Sequence, residues 1–174
     1  IIINKDNPVL QNIIGACYAG IGDFESAIEK YLKAISINPN YAKAYFNLAL
    51  TYHNIGELEK AKKNYKNSIE IDAHYAEAHN NLGSVFRDLS EINLAVNSVK
   101  NAIKINPNYL EAHYSISLMF FNLGEINSMI KHLKKVIELK PNFAQAHNLL
   151  GVGLKEKKQF EGAIQSYKNA IKHK

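Results

Sequence analysis

The sequence contains no tryptophan and a single cysteine, Cys17. One thiol cannot form an intramolecular disulfide, so nothing requires an oxidising compartment, and a reducing cytoplasm is the expected location. Long apolar runs are missing as well. The most apolar stretch, around Tyr114 to Phe121, is far short of the ~18 to 20 residues a helix needs to cross a bilayer, which excludes a membrane span. The chain opens with IIINKDN, lacking an initiator methionine and the basic and small-residue flanks of a signal peptide. It therefore reads as the cut end of a longer protein.

Apolar residues make up 47% of the 174 and charged residues 21%, a balance that belongs to globular rather than disordered chains. The formal net charge is +5. The lysines fall in KAKKNYK, KHLKK and LKEKK, with glutamates nearby, so their placement decides more about nucleic-acid binding than the total does.

Proline is scarce, and its spacing is informative. Three of the four prolines are Pro39, Pro107 and Pro141, separated by 68 and then 34 residues. The position midway in the longer gap holds Ala73, in DAHYAEAH, which parallels NPNYAKAY, NPNYLEAH and KPNFAQAH. A 34-residue register therefore runs through the chain, with copies at 8–41, 42–75, 76–109, 110–143 and an incomplete one at 144–174. Residues 1–7 fit the end of a preceding repeat helix.

Within each copy, positions 3, 7, 11 and 14 are mostly apolar, the spacing of one stripe on an α-helix. Position 15 supplies Gly22, Gly56 and Gly124, suited to a left-handed helix end. Ser90 and Lys158 replace that glycine in the other two copies, each at a cost of about 1 kcal/mol if φ is positive there. Positions 17, 20, 21, 24, 27 and 28 then form a wider stripe, closed by the proline at position 32. One helix pair cannot bury such stripes alone. Stacked neighbours must, which predicts an all-α, right-handed α-solenoid of antiparallel helix pairs, about five repeats long.

The recurring words carry a family resemblance. Position 7 reads Ile14, Leu48, Leu82, Ile116, Leu150; position 8 reads Gly15, Ala49, Gly83, Ser117, Gly151. Position 11 reads Tyr18, Tyr52, Phe86, Phe120, Leu154, and position 20 reads Ala27, Ala61, Ala95, Met129, Ala163. This resembles the tetratricopeptide repeat over essentially the whole chain. The resemblance implies a protein-interaction scaffold that holds an extended peptide or a partner helix in a concave groove. That groove is lined by the first-helix residues at positions 2, 5, 6, 9, 12 and 13.

Carried onto this chain, the candidate groove residues are Asn12, Phe46, Asn47, Leu50, Asn80, Asn81, Ser84, Arg87, Tyr114, Ser115, Leu118, Phe121 and Asn148. An asparagine amide offers both a donor and an acceptor to a peptide backbone, whatever the peptide's sequence. Large apolar side chains on a predicted solvent face imply a partner; the alternative is that the superhelix curls enough for them to touch neighbouring repeats. An asparagine column at position 6 is similar to the repeat region of O-GlcNAc transferases, though only Asn47 and Asn81 keep it. The second reading is accordingly the substrate-recognition arm of a larger enzyme of that kind. Lysine at position 5 with asparagine at position 9, the pair of carboxylate-clamp repeats, occurs in no copy.

No catalytic, cofactor or metal site is expected. His79, His113 and His147 occupy position 4, a packing position, and neighbouring helix axes about 8 to 10 Å apart cannot bring three imidazoles onto one zinc. His53 faces the groove, where it could be a pH-sensitive ligand contact, but is expected to have no carboxylate or nucleophile beside it, and Cys17 is expected to be a small buried hydrophobe. The lysines on second helices read as a solvated face, so nucleic acid is not an expected ligand. The absence of a polar capping helix predicts end-to-end self-association through the terminal repeats.

Overall fold

The computed structural model describes residues 7–174. The helix remnant expected at the start of the chain thus falls, apart from Asn7, outside the described residues. Ten helices follow in order: α1 (Pro8–Gly20), α2 (Phe24–Ile37), α3 (Ala42–Asn54), α4 (Leu58–Ile71), α5 (Ala76–Asp88), α6 (Ile92–Ile105), α7 (Leu110–Asn122), α8 (Ile126–Leu139), α9 (Ala144–Glu156) and α10 (Phe160–Lys172). Among the described residues there is no strand. The chain divides into two compact units, one ending at Glu91 and one starting at Ile92. In the first, α1 packs on α2, α2 on α3, α3 on α4 and α4 on α5; in the second, α6 packs on α7, α7 on α8, α8 on α9 and α9 on α10. Each unit is the stack of consecutive helices that the repeat predicts, and the fold is an all-α solenoid.

Local chemistry explains why the register survives the loss of a proline at Ala73. The backbone N–H of Asn40, His74 and Asn108 donates to the side-chain oxygen of Asn38, Asp72 and Asn106 respectively, at 3.0, 3.0 and 3.1 Å. The Asx turn at position 31 shapes the corner in three copies, and it does so without help from the next residue. Position 8 is small because position 24 lies on it. A Cβ on Gly15 would stand 2.7 Å from the Tyr31 ring, and one on Gly151 2.6 Å from the Tyr167 ring.

The first-helix ends close as expected. Gly22, Gly56 and Gly124 have φ of 81, 79 and 72°, and Ser90 and Lys158 take φ of 63 and 57°. At the α5 end the Ser90 N–H donates to the Arg87 carbonyl at 2.9 Å and the Glu91 N–H to the Phe86 carbonyl at 2.8 Å, the paired bonds of a Schellman motif. Ser90→Gly and Lys158→Gly remove the left-handed penalty but add unfolded-state freedom. Each is expected to stabilise the protein by about 0.5 to 1 kcal/mol, read as a raised thermal midpoint.

Candidate functional site

In the first unit, α1 touches α3 and α3 touches α5, so the first helices lie side by side. Two hydrogen bonds cross between them at an offset of one repeat plus one residue. Asn47 Nδ2 donates to Asn12 Oδ1 at 2.9 Å, and His53 Nε2 lies 2.7 Å from Asp88 Oδ2. Position 5 of one copy thus meets position 6 of the next, and position 12 meets position 13.

This offset corrects several of the groove expectations. Asn12 and Asn80 are buried, at 3% and 5% exposure, rather than open. The Asn12 side-chain oxygen is taken by Asn47, while Asn80 Nδ2 donates to Asn81 Oδ1 at 3.3 Å and leaves its own oxygen buried without a partner. Phe46 is not a free hydrophobe: its ring stacks on Tyr75 at 4.8 Å and meets Tyr65 edge-on at 5.7 Å. Burial pushes the Tyr75 phenol up to about 12. For Phe46 the neighbouring-repeat alternative holds.

Asn47, Asn81 and Ser84 remain half-buried, and Leu50 is 37% exposed. Asn47 keeps one amide hydrogen and its oxygen; the Asn81 amide also faces the buried Tyr65 hydroxyl, which leaves it one amide hydrogen. At the far end of this face Arg87 is turned onto its own neighbour. Its Nε and Nη2 donate to Asp88 Oδ1 at 3.1 and 3.0 Å. His53, expected to have no carboxylate nearby, takes the other oxygen of Asp88. Burial alone would raise the Asp88 pKa, but the bonds from His53 and Arg87 outweigh it and hold the carboxyl below its usual range. The 35-residue separation was the available signal for this contact, since it needs only the repeat length plus one.

In the second unit, a cavity of about 1020 Å³ brings together Tyr114, Leu118 and Asn148 of the expected residues. Leu149, at groove position 6, and Phe143 and Tyr167, neither of which was expected there, complete its aromatic and aliphatic wall. The Tyr114 ring lies 5.0 Å from that of Phe143, and burial raises its phenol pKa. Ser115 is half-buried and Phe121 is 40% exposed, and neither lines this cavity. The Lys140 ammonium stands 5.2 Å from the centre of the Phe143 ring, and no acidic residue lines the space.

The position-4 histidines are tied to the corner before their helix. Nε2 of His79, His113 and His147 lies 3.2, 3.0 and 2.7 Å from the carbonyl of Ala73, Pro107 and Pro141. A carbonyl only accepts, so each Nε2 carries a hydrogen. Among the described residues no group of three or more His, Cys, Asp or Glu could hold a metal ion. Cys17 is exposed rather than buried. Its equivalents Thr51, Val85 and Met119 are buried, and a Cβ on the fourth, Gly153, would meet Met129 and Ile130 of α8. Position 10 is covered by the second helix of the preceding copy, and none is described before α1.

The comparisons with known proteins agree with this architecture. A family model described as TPR repeat matches residues 15–56 and 52–89, and one described as tetratricopeptide repeat matches 76–109 and 110–143. The chain is 30% identical to the chain in the crystal structure of MamA, covering 92% of this chain and 94% of that one at a TM-score of 0.84. These matches define a helical-repeat protein. The chain belongs to the tetratricopeptide repeat family. It shares the fold of YrrB, described as a TPR protein with an unusual peptide-binding site, at 22% identity, 98% and 88% coverage and a TM-score of 0.78. It also shares the fold of Pseudomonas aeruginosa pilF, at 19% identity, 96% and 76% coverage and a TM-score of 0.88. No curated protein matches the chain by sequence.

Proposed function

We propose that the chain is a non-enzymatic interaction scaffold that holds an extended peptide or partner helix on the open face of its first helices. The observation that carries this reading is the pair Asn47 and Asn81, half-buried one repeat apart, with amide valence left after their internal bonds and exposed Leu50 beside them. In the second unit the cavity at Tyr114, Leu118 and Asn148 offers apolar contact next to an amide, the usual composition of a ligand pocket. The peptide-binding site of YrrB supports the same ligand class on the same fold. Catalysis is not part of this reading, because no nucleophile–base pair accompanies these residues. The test is to select a peptide against the chain from a random library and follow it by NMR. The side-chain amide signals of Asn47 and Asn81 should shift; a selected peptide that leaves both unmoved while binding elsewhere refutes their role.

Nucleic acid is not the expected ligand. On α4, Lys62 lies 2.8 Å from Glu59 and 3.4 Å from Glu91, and Lys60 lies 3.2 Å from Glu57; on α8, Lys135 lies 2.7 Å from Glu138. Lysines neutralised in this way make a poor phosphate track. A labelled oligonucleotide should show no binding at physiological salt.

The recognition arm of a larger enzyme, such as an O-GlcNAc transferase-like glycosyltransferase, is the second reading. Asparagine at position 6 in two consecutive copies favours it, and a nucleotide-sugar-binding domain encoded downstream of Lys174 would support it. A second copy of the chain is a further proposed partner. Phe160, Ile164 and Ile171 of α10 are 56, 54 and 76% exposed, whereas Ile130, which matches Ile164 one repeat earlier, is 9% exposed. Sedimentation equilibrium should show concentration-dependent association that Ile164→Lys abolishes; a monomer at every concentration counts against it.

A further inference from the structure

We propose that the pocket between α6 and α8 binds a small tetrahedral oxyanion, held by Lys100 and Lys131 with the Asn93 and Asn97 amides as neutral donors, and sensed by His132. The pocket is an open concavity of about 500 Å³ that lies wholly within the second unit, with Asn93, Asn97, Lys100 and Lys131 all exposed around it.

Three observations converge there. First, the two lysines are not neutralised like those of α4. The Lys100 ammonium faces the Phe120 ring, 5.9 Å from its centre, and neither Lys100 nor Lys131 has a carboxylate at ion-pair distance among the described residues. The one acid lining the pocket, Glu125, accepts the Ser128 hydroxyl at 3.1 Å. Two lysines against one glutamate leave the pocket net positive. Second, neutral donors stand beside that charge, since Asn93 and Asn97 line the same space from α6.

Third, His132 is wired so that only one ring atom is left to respond. His132 Nδ1 lies 2.9 Å from His113 Nδ1, and His113 Nε2 lies 3.0 Å from the Pro107 carbonyl. The carbonyl requires a hydrogen on His113 Nε2, so neutral His113 presents a lone pair at Nδ1 and His132 donates to it. His132 Nε2 is therefore the free position, and a negative charge beside it favours its protonation. The groups acting on this imidazole are His113 from α7, Lys100 from α6, and Lys131 and Glu125 from the α8 segment. Burial first, then His113 and the two lysines, hold His132 down at about 4. A dianion seated between the lysines cancels their repulsion and offers Nε2–H an acceptor. Anion binding and His132 protonation are then linked, each strengthening the other.

The experiment follows the His132 ring signals of the whole chain by NMR through a pH titration. One sample contains sodium sulfate, which stays a dianion across the range, and the other contains sodium chloride at equal ionic strength. Sulfate should raise the His132 midpoint by about one unit over chloride, with half-saturation at or below about 1 mM. In Lys100→Gln with Lys131→Gln, the midpoint should rise without any anion and the sulfate increment should vanish. Equal midpoints in the two salts, a sulfate increment that survives the double substitution, or a response still growing linearly at high salt would each overturn the proposal. A second arm compares sulfate with free phosphoserine at neutral pH through the Asn93 and Asn97 amide signals. Comparable affinities identify a free ion as the ligand, and tighter phosphoserine binding identifies an esterified phosphate. Failure to displace either amide signal overturns the site. None of these results depends on peptide binding at the first-helix face.

Discussion

Leu48→Ala is expected to destabilise the protein by about 3 to 4 kcal/mol, in the range of large-to-small substitutions that leave a cavity in a packed core. Leu48 is 1% exposed and forms a cluster with Ala27 and Tyr31, surrounded by Tyr18, Ile28, Ile35 and Tyr52. These neighbours sit on three different helices, so the site cannot collapse without moving backbone. For a chain of this size the loss corresponds to a thermal midpoint lower by roughly 6 to 16 °C. A repeat stack is stabilised by each repeat and its nearest neighbours. Hydrogen exchange should therefore show lost protection concentrated in α1 to α4. Leu50→Ala, two residues away on the open face, is the control and should cost under about 1 kcal/mol. Equal losses from the two substitutions would mean that the assignment of buried and open faces on α3 is wrong.

Acidification is expected to weaken the fold through His132. Its folded pKa is about 4, below the ordinary imidazole value of 6.5. Above pH 6.5 the group is neutral in both states and costs nothing. As the pH falls below 6.5 the unfolded chain takes up a proton that the folded chain refuses, so stability declines until about pH 4 and then levels off. Because His132 is only half-buried, solvent screening reduces the effect to about 1 to 2 kcal/mol. His132→Asn removes the titrating group while offering an amide N–H to His113 Nδ1. Denaturant unfolding from pH 7 to pH 4 should show a shallower decline for this variant. An unchanged slope would show that His132 is not the group responsible.

The repeat was legible from the prolines and the words around them, because corner chemistry is local: Asp72 forms its Asx turn whether or not a proline follows. Helix faces were legible too, since the 3.6-residue period decides which side of α5 buries Leu82 and Val85. What a single-helix reading lacks is the lateral neighbour. Asn12 meeting Asn47, and His53 meeting Asp88, depend on how one first helix lies against the next, a relation of 35 residues rather than 34. That missing residue made Asn12 and Asn80 look open and His53 look isolated. Cys17 was misjudged for a related reason, because position 10 is buried by a preceding second helix and not by its own pair. The contact between His113 and His132 joins a first helix to the second helix of the same repeat at 19 residues, a distance no periodic pattern announces.

Binding at the first-helix face rests most directly on Asn47 and Asn81. The decisive measurement is calorimetric titration of a selected peptide into the wild-type chain and into Asn47→Ala with Asn81→Ala, with helicity checked by circular dichroism. Each lost amide hydrogen bond is worth about 1 kcal/mol net. The double variant should therefore bind roughly 10- to 30-fold more weakly at unchanged helicity. Unchanged affinity would contradict a peptide site at this face.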